Sequence, residues 1–143
     1  MARRWPLELA CVAAVGVLLG TTPASAASRQ ALEAGQRLYV KYCATCHGRD
    51  GKGKGPMTAT LNTKPPDLTL LAKKQGGKFP YMEVLDILDG SVPYPAHGNS
   101  ELPAWGETFQ SDDPGSSGGT MEQAAVRGRL MLVTDYLRSI QAK

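Results

Sequence analysis

The chain has 143 residues, of which 42% are hydrophobic and 20% charged, a composition typical of one globular domain and not of a disordered segment. Its 16 basic and 13 acidic residues leave a formal charge of +3, too small an excess to indicate nucleic-acid binding. Three cysteines and two histidines argue against a disulfide-rich scaffold or a four-ligand zinc module. Because only 6% of the residues are aromatic, we expect something other than aromatic side chains to fill part of the core.

The N-terminal segment has the three parts of a secretory signal peptide. Two arginines near the start are followed by an apolar run over residues 9–20 and by small residues at 24–26. The run is shorter than the roughly 20 apolar residues that a membrane-spanning helix needs, which favours a cleaved signal over an uncleaved anchor. We predict a signal peptide over 1–26 and a mature domain over 27–143. The mature protein is then expected in the periplasm, with no stable membrane insertion after cleavage.

The first helix of the mature chain is predicted over residues 28–44. Its apolar stripe has spacings of three and four and consists of Leu32, Gly35, Leu38, Tyr39 and Tyr42. Since glycine weakens a helix interior, Gly35 in this stripe indicates a close backbone contact with another element. A loop is predicted over 48–67, because this segment is rich in glycine and contains Pro65-Pro66.

Two shorter helices are predicted after this loop. Asp67 is suited to cap a helix over 68–75. A second helix is predicted over 80–89, opened by Pro80 and ended by Gly90. Its expected apolar face contains Met82, Leu85 and Leu88.

The last helix is predicted over 121–141, after irregular backbone from 91 to 120. Its expected apolar stripe consists of Ala125, Gly128, Leu132, Tyr136 and Ile140. No strand pattern is evident along the sequence. The predicted class is therefore all-α, with two long terminal helices and shorter helices between them.

One motif indicates a specific chemistry. Residues 43–47 read Cys-Ala-Thr-Cys-His, and Cys43 and Cys46 are the two cysteines of the predicted mature chain. Thiols at this spacing can bond both vinyl groups of one porphyrin, which would hold His47 beneath the iron as the proximal axial ligand. The motif therefore predicts one haem c, bound covalently through two thioether bonds.

Three other uses of these residues are weaker. A thioredoxin-like redox pair belongs to a βαβ unit, and strand patterns are missing here. A zinc site needs four ligands, and the mature chain offers only Cys43, Cys46, His47 and His97, with no second paired motif. A disulfide between Cys43 and Cys46 would close a very small ring and would hold no distant segments together.

With this motif, the sequence resembles the class I monohaem cytochromes c of bacterial secreted type over about residues 30–141. The first helix of that family carries a glycine with an aromatic residue four positions later, as Gly35 and Tyr39 do here. Its last helix carries an apolar residue followed three positions later by an aromatic one, as Val133 and Tyr136 do here. The resemblance implies a class I cytochrome c fold, in which two crossing terminal helices, shorter helices and loops surround one covalently bound haem.

The resemblance also assigns residues to the haem pocket. Pro66-Asp67-Leu68 is similar to part of the family's post-haem loop. The carbonyl of Pro66 is then expected to accept a hydrogen bond from His47, and Leu68 is expected to pack on the haem face. Trp105 is expected to pack against the haem edge, with its N–H near a propionate.

The sequence departs from the family at the second axial ligand. Class I cytochromes supply a methionine just before Pro-Ala-Trp-Gly, and here Leu102, which has no lone pair to donate, stands at that position. His97 is the distal candidate, with a hydrogen bond to a haem propionate or a solvated loop position as its alternatives. Pro93 and Pro95 stiffen this loop, which slightly favours an open or water-bound sixth site. We expect Met82, Met121 and Met131 to lie in the core. Met57, which lies in the glycine-rich loop, is expected to be a surface or packing residue.

These features predict electron transfer by the haem, as a soluble carrier or as the small haem subunit of a periplasmic oxidoreductase, and not an enzyme. The alternative is a protein that binds or senses NO or CO at an open sixth site. The mature chain also has a basic segment, 49–78, with seven basic and two acidic residues, and an acidic segment, 79–126, with eight acidic and no basic ones. We expect this polarity to orient redox partner proteins through charge complementarity.

Overall fold

The computed structural model describes residues 24–94, 97–99, 102–103 and 119–143. Their α-helices are α1 (Ala24–Tyr42), α2 (Ala44–His47), α3 (Leu71–Lys74), α4 (Tyr81–Asp89) and α5 (Thr120–Ser139). Two 3-10 helices cover Pro56–Thr60 and Leu68–Leu70. Strands β1 (Gly98–Asn99) and β2 (Leu102–Pro103) form one antiparallel pair, in which Gly98 faces Pro103 and Asn99 faces Leu102. The all-α class is confirmed, and the strands are too short to be recognised from alternating polarity.

The two long helices cross at Gly35, as the sequence predicted. A side chain at this position would overlap the carbonyl oxygen of Leu132, and its Cβ would lie 3.0 Å from the Cβ of Tyr136. Next to the crossing, the rings of Tyr39 and Tyr136 lie 5.2 Å apart between centroids, at an angle of 45°. Glycine is therefore needed because the backbones of α1 and α5 approach each other closely.

Helix α1 begins at Ala24, upstream of the expected start at residue 28. Three of its first four residues are alanine, the strongest helix former, so the helical conformation extends through the predicted cleavage site. Cleavage after residue 26 stays a prediction. At its other end α1 stops at Tyr42, because Cys43 begins a separate short helix.

The core lies between α1, α4 and α5. Its buried hydrophobic residues are Tyr39, Ala44, Val84, Leu85, Leu88, Leu130, Val133, Tyr136 and Leu137. The predicted stripe of α5 is confirmed in part: Tyr136 is buried, Ile140 is partly buried and packs against the core, Leu132 is partly buried, and Ala125 is exposed. The fully buried residues Leu130, Val133 and Leu137 are centred roughly 100° further around the helix, while Leu132 and Tyr136 of the predicted stripe meet Gly35.

The prediction that three methionines lie in the core is wrong. Met82, Met121 and Met131 are 56%, 85% and 44% exposed. Helix α4 buries Val84, Leu85 and Leu88 instead, and α5 buries the face that contains Leu130 and Val133. These three methionine side chains therefore lie on the outward sides of their helices.

The segments between the motif and α4 agree in part with the prediction. The Asp67 side chain accepts hydrogen bonds from the backbone N–H and the hydroxyl of Thr69, at 2.9 and 2.6 Å, so the predicted cap is confirmed. The helix that it begins is a 3-10 turn followed by α3, and not one continuous α-helix. Gly90 ends α4 in the left-handed conformation, with φ of 82°, as expected.

The C-terminal end is held against the segment that contains Leu68. The amide of Gln141 accepts a hydrogen bond from the backbone of Ala72 and donates to the carbonyls of Leu68 and Leu137, at 2.7–2.8 Å. Among the residues that the structure describes, no helix has both the length and the apolar character of a membrane span.

Candidate haem site

The two cysteines and the histidine of the motif lie on one turn of backbone. The N–H of Cys43 donates to the carbonyl of Tyr39 at the end of α1, at 2.8 Å. The carbonyl of Cys43 accepts hydrogen bonds from the N–H groups of Cys46 and His47, at 3.2 and 2.9 Å. Because residues three and four apart in a helix share a face, this turn presents Cys43, Cys46 and His47 on one side of α2.

Both thiols are free and partly buried. Burial raises the pKa of the Cys43 thiol to about 12, and the neighbouring Cys46 contributes in the same direction. A catalytic redox pair of the thioredoxin type needs a thiol whose pKa is lowered. The raised pKa of Cys43 therefore argues against that use of the motif.

His47 is buried, with 7% of its surface exposed, and its ring is oriented by Pro66. Its Nδ1 lies 3.4 Å from the Pro66 carbonyl oxygen, the partner that the family resemblance implied. Since a carbonyl can only accept, Nδ1 carries the proton and the lone pair is on Nε2. Burial lowers the pKa of His47, against the opposing effect of the Pro66 hydrogen bond, and so favours the neutral imidazole that can bind a metal.

The loop after the motif is bonded back onto it. The N–H groups of Gly53 and Gly55 donate to the carbonyls of His47 and Cys46, at 2.7 and 3.1 Å. The hydroxyl of Thr58 donates to the carbonyl of Cys46 as well, at 3.2 Å. These bonds satisfy carbonyls that the short helix α2 leaves without partners, and they hold the motif rigidly.

Glycine is required in this loop for space. A Cβ at Gly55 would overlap the carbonyl oxygen of Thr45, and one at Gly53 would overlap that of Pro65. Gly53 also has a φ of 74°, in the left-handed region. The sequence predicted only a plain loop here and the role of these residues was missed, although glycines at alternate positions after the motif were a visible signal of close backbone approach.

Tyr39 is a second residue whose role was only partly predicted. Its hydroxyl donates a 2.7 Å hydrogen bond to the carbonyl of Gly48, the residue directly after the motif. The side chain is fully buried, and burial raises its pKa above the ordinary tyrosine value. Tyr39 therefore links the helix crossing to the motif, beyond the packing role that the sequence indicated.

The other predicted pocket residues are described to different extents. Leu68 is partly buried, packs against the core, and donates its N–H to the Gly51 carbonyl at 2.7 Å. Leu102 is described through its backbone, which pairs with Asn99 in the strand ladder. Trp105 lies outside the described residues.

His97 lies beside His47 although fifty positions separate them in sequence. The centroids of the two imidazole rings are 5.9 Å apart, and the ring planes meet at 62°. The N–H of His97 donates to the carbonyl of Tyr94 at 2.8 Å, and the Tyr94 ring lies 5.3 Å away. Burial lowers the pKa of His97, and the charge of His47 acts in the same direction.

A family model described as cytochrome c oxidase, cbb3-type, subunit III matches residues 30–114. The chain belongs to this cytochrome family. The resemblance to monohaem class I cytochromes c is thereby confirmed, and with it a covalently bound haem c. The match also supports haem-based electron transfer as the class of function.

One curated relative is the "Cbb3-type cytochrome c oxidase subunit FixPc" of Rhizobium leguminosarum bv. viciae. It is 35% identical over 102 residues, which cover 70% of this chain and 29% of the relative. The chain therefore matches less than a third of that protein's length. No solved structure matches the chain.

The residues of this cytochrome fit a haem c. The motif provides two free thiols on the face that also carries His47, whose Nδ1 faces the Pro66 carbonyl and whose Nε2 would be the nitrogen left to bind iron. A second imidazole, that of His97, lies beside His47, with 5.9 Å between the ring centroids. Within the described part of the chain, no group of three or more histidine, cysteine, aspartate or glutamate side chains is arranged to hold a bare metal ion.

Proposed function

We propose that the chain transfers single electrons through one haem c that Cys43 and Cys46 attach and His47 ligates. The observation that carries this proposal is the oriented imidazole of His47, directly after two free thiols on the same helix face. The haem, when bound, supplies an iron that alternates between the ferrous and ferric states.

The residues of the motif have separate tasks in this proposal. Cys43 and Cys46 would hold the haem through two thioether bonds, for which each S–H would add across one vinyl double bond without any oxidant. Pro66 keeps the proton of His47 on Nδ1, and the bonds from Gly53 and Gly55 prevent the motif backbone from moving. A rigid ligand set favours electron transfer because little rearrangement accompanies the change of iron charge.

We propose that the cytochrome is exported to the periplasm, where it acts as a soluble carrier or as the small haem subunit of an oxidoreductase. The relative is named as an oxidase subunit, which supports a partner of the respiratory oxidoreductase class. In either case the chain supplies an electron-transfer centre, and a partner protein supplies the catalytic site.

The basic segment is the proposed docking surface for such a partner. It begins at residue 49, next to Gly48, and its lysines are exposed at positions 52, 54, 64, 73, 74 and 78. Charged patches of this kind orient partners and raise association rates, and salt weakens the effect. We therefore propose that a redox partner presents an acidic surface to this segment.

The attachment of the haem provides the decisive test. Acidified acetone should leave the haem on the wild-type chain and on a Thr45→Ala variant, which changes an exposed residue inside the motif. The double variant Cys43→Ala/Cys46→Ala should retain no haem after the same treatment. Voltammetry of the wild-type protein should show one reversible one-electron couple. Haem that is extracted freely from the wild-type chain, or the absence of such a couple, would contradict the proposal.

A further inference from the structure

We propose that His97 is the second axial ligand of the iron, so that the haem of this cytochrome lies between two imidazoles. This inference rests on the proposed function, since it requires the haem that Cys43, Cys46 and His47 hold. It differs from the histidine and methionine pair that class I cytochromes c usually provide.

The spacing of the two histidine rings supports this assignment. Metal–imidazole bonds of about 2.0 Å place the ring centroids of two opposite axial ligands roughly 6 Å apart. The centroids of His47 and His97 are 5.9 Å apart. Axial imidazoles stand upright on the porphyrin and can take any mutual angle about the axis through the iron, so the observed 62° is compatible with this geometry.

The backbone around His97 already holds the ring in this position. The hydrogen bond from the His97 N–H to the Tyr94 carbonyl closes a tight turn just before the strand ladder of β1 and β2. In the sequence, the stiffness of this loop limited how far His97 could move and so slightly favoured an open sixth site. In the structure the same stiffness favours His97 as a ligand, because the loop already places His97 beside His47 and no rearrangement is needed.

The competing donors are less well placed. Leu102 follows on the returning strand and carries no donor atom. Met121 is 85% exposed on α5, and Met82 and Met131 lie on the outward sides of their helices. Met57 is the competitor to be tested, because its 3-10 helix is bonded to the motif through Thr58.

Two imidazole ligands give definite properties to the iron. A thioether ligand raises the reduction potential of a cytochrome c, so this cytochrome should have a lower potential than its His/Met relatives. An iron with six strong ligands should also bind CO slowly or not at all. These properties suit an electron carrier and contradict the alternative of a gas sensor.

Spectroscopy of the wild-type holoprotein can identify the axial ligands directly, because the chain contains two histidines in all. Pulsed EPR of ferric protein made with ¹⁵N-histidine should detect two histidine nitrogens on a low-spin iron, with no sulfur–iron charge-transfer band in the near infrared. A high-spin iron with one histidine nitrogen would overturn the proposal in favour of an open site. A sulfur–iron band would overturn it in favour of a methionine.

Two variants complete the experiment. His97→Ala should become high-spin and bind CO in the ferrous state, whereas Met57→Leu should keep the wild-type spectrum. A low-spin His97→Ala variant or a high-spin Met57→Leu variant would overturn the assignment. If His97→Ala gives no holoprotein, the nitrogen count of the wild type still decides. If the haem is covalently retained and one of these contrary spectra is observed, only the role of His97 is refuted. Haem that is freely extracted refutes the proposed function itself.

Discussion

Replacement of Gly35 by alanine tests whether the crossing of α1 and α5 holds the molecule together. The new Cβ would lie 2.8 Å from the carbonyl carbon of Leu132 and 3.0 Å from the Cβ of Tyr136, and it would overlap the Leu132 oxygen. Ordinary contacts between such atoms are about 3.5–4.0 Å, so the helices must separate by roughly 1 Å.

The expected change combines two opposing effects. Overpacking of a well-packed contact costs about 1–3 kcal/mol, while alanine in place of glycine favours the helix by up to about 1 kcal/mol. We therefore expect Gly35→Ala to lower the free energy of unfolding by about 1–2 kcal/mol. Gly35→Val should lower it further, because its additional methyl groups meet the same backbone.

Gly128 on α5 provides a matched control, since a Cβ there would have no atom of another described segment within 4 Å. Gly128→Ala should leave the free energy of unfolding unchanged or raise it by about 0.5–1 kcal/mol. The measurement is denaturant unfolding of the wild-type and variant holoproteins, followed by circular dichroism and haem absorbance. A Gly35→Ala variant as stable as Gly128→Ala would refute the close crossing.

Three further predictions follow from single hydrogen bonds and from the charge pattern. Asp67→Ala should lower the free energy of unfolding by about 1 kcal/mol, whereas Asp67→Asn keeps a capping oxygen and should lose less, as measured by denaturant unfolding. The Thr69 hydrogen bond lowers the pKa of the Asp67 carboxyl. Wild type should therefore be more stable than Asp67→Asn above the carboxyl pKa of the unfolded chain, and this difference in stability should disappear as the pH falls through the lowered pKa of the folded state. A difference that grows in acid would contradict this. Tyr39→Phe should lower the free energy of unfolding by about 1 kcal/mol, since the Gly48 carbonyl loses the Tyr39 hydroxyl and keeps only the 3.1 Å bond from the Gly51 N–H, and an unchanged unfolding midpoint would show that the Tyr39 bond is unimportant. The rate of electron transfer to an acidic redox protein should fall with ionic strength in stopped-flow experiments, and a salt-independent rate would exclude charge-guided docking.

The helix crossing was predictable because glycine weakens the interior of a helix, and a glycine within an apolar stripe therefore indicates that another backbone comes close to it. Gly35 and Tyr39 identified the contact on α1, and Tyr136 identified it on α5. The remaining positions of α5 were not predictable from periodicity, since Leu130, Leu132 and Val133 supply apolar residues on more than one side. In the structure Leu130 and Val133 are buried, whereas Leu132 is partly buried and meets Gly35 through its backbone.

The proximal half of the site was predictable for a different reason. The motif fixes the order of its thiols and its histidine within one turn, so local geometry alone aligns Cys43, Cys46 and His47. The approach of His97 was not predictable, because it depends on a turn at Tyr94 and on packing between segments fifty positions apart. Periodicity and propensity contain no information on such long-range placement.

The crossing at Gly35 also has a consequence for the time at which the chain can fold. It joins residues 35 and 132, so α1 lacks the partner for its buried face until nearly the whole chain is available. A helix without its packing partner is marginal in water, and the motif follows directly after this helix. A chain that stops before α5 would therefore keep Cys43 and Cys46 in an unpacked segment, where both thiols are accessible for attachment of the haem. Packing of α5 against Gly35 completes the native structure and ends this accessibility.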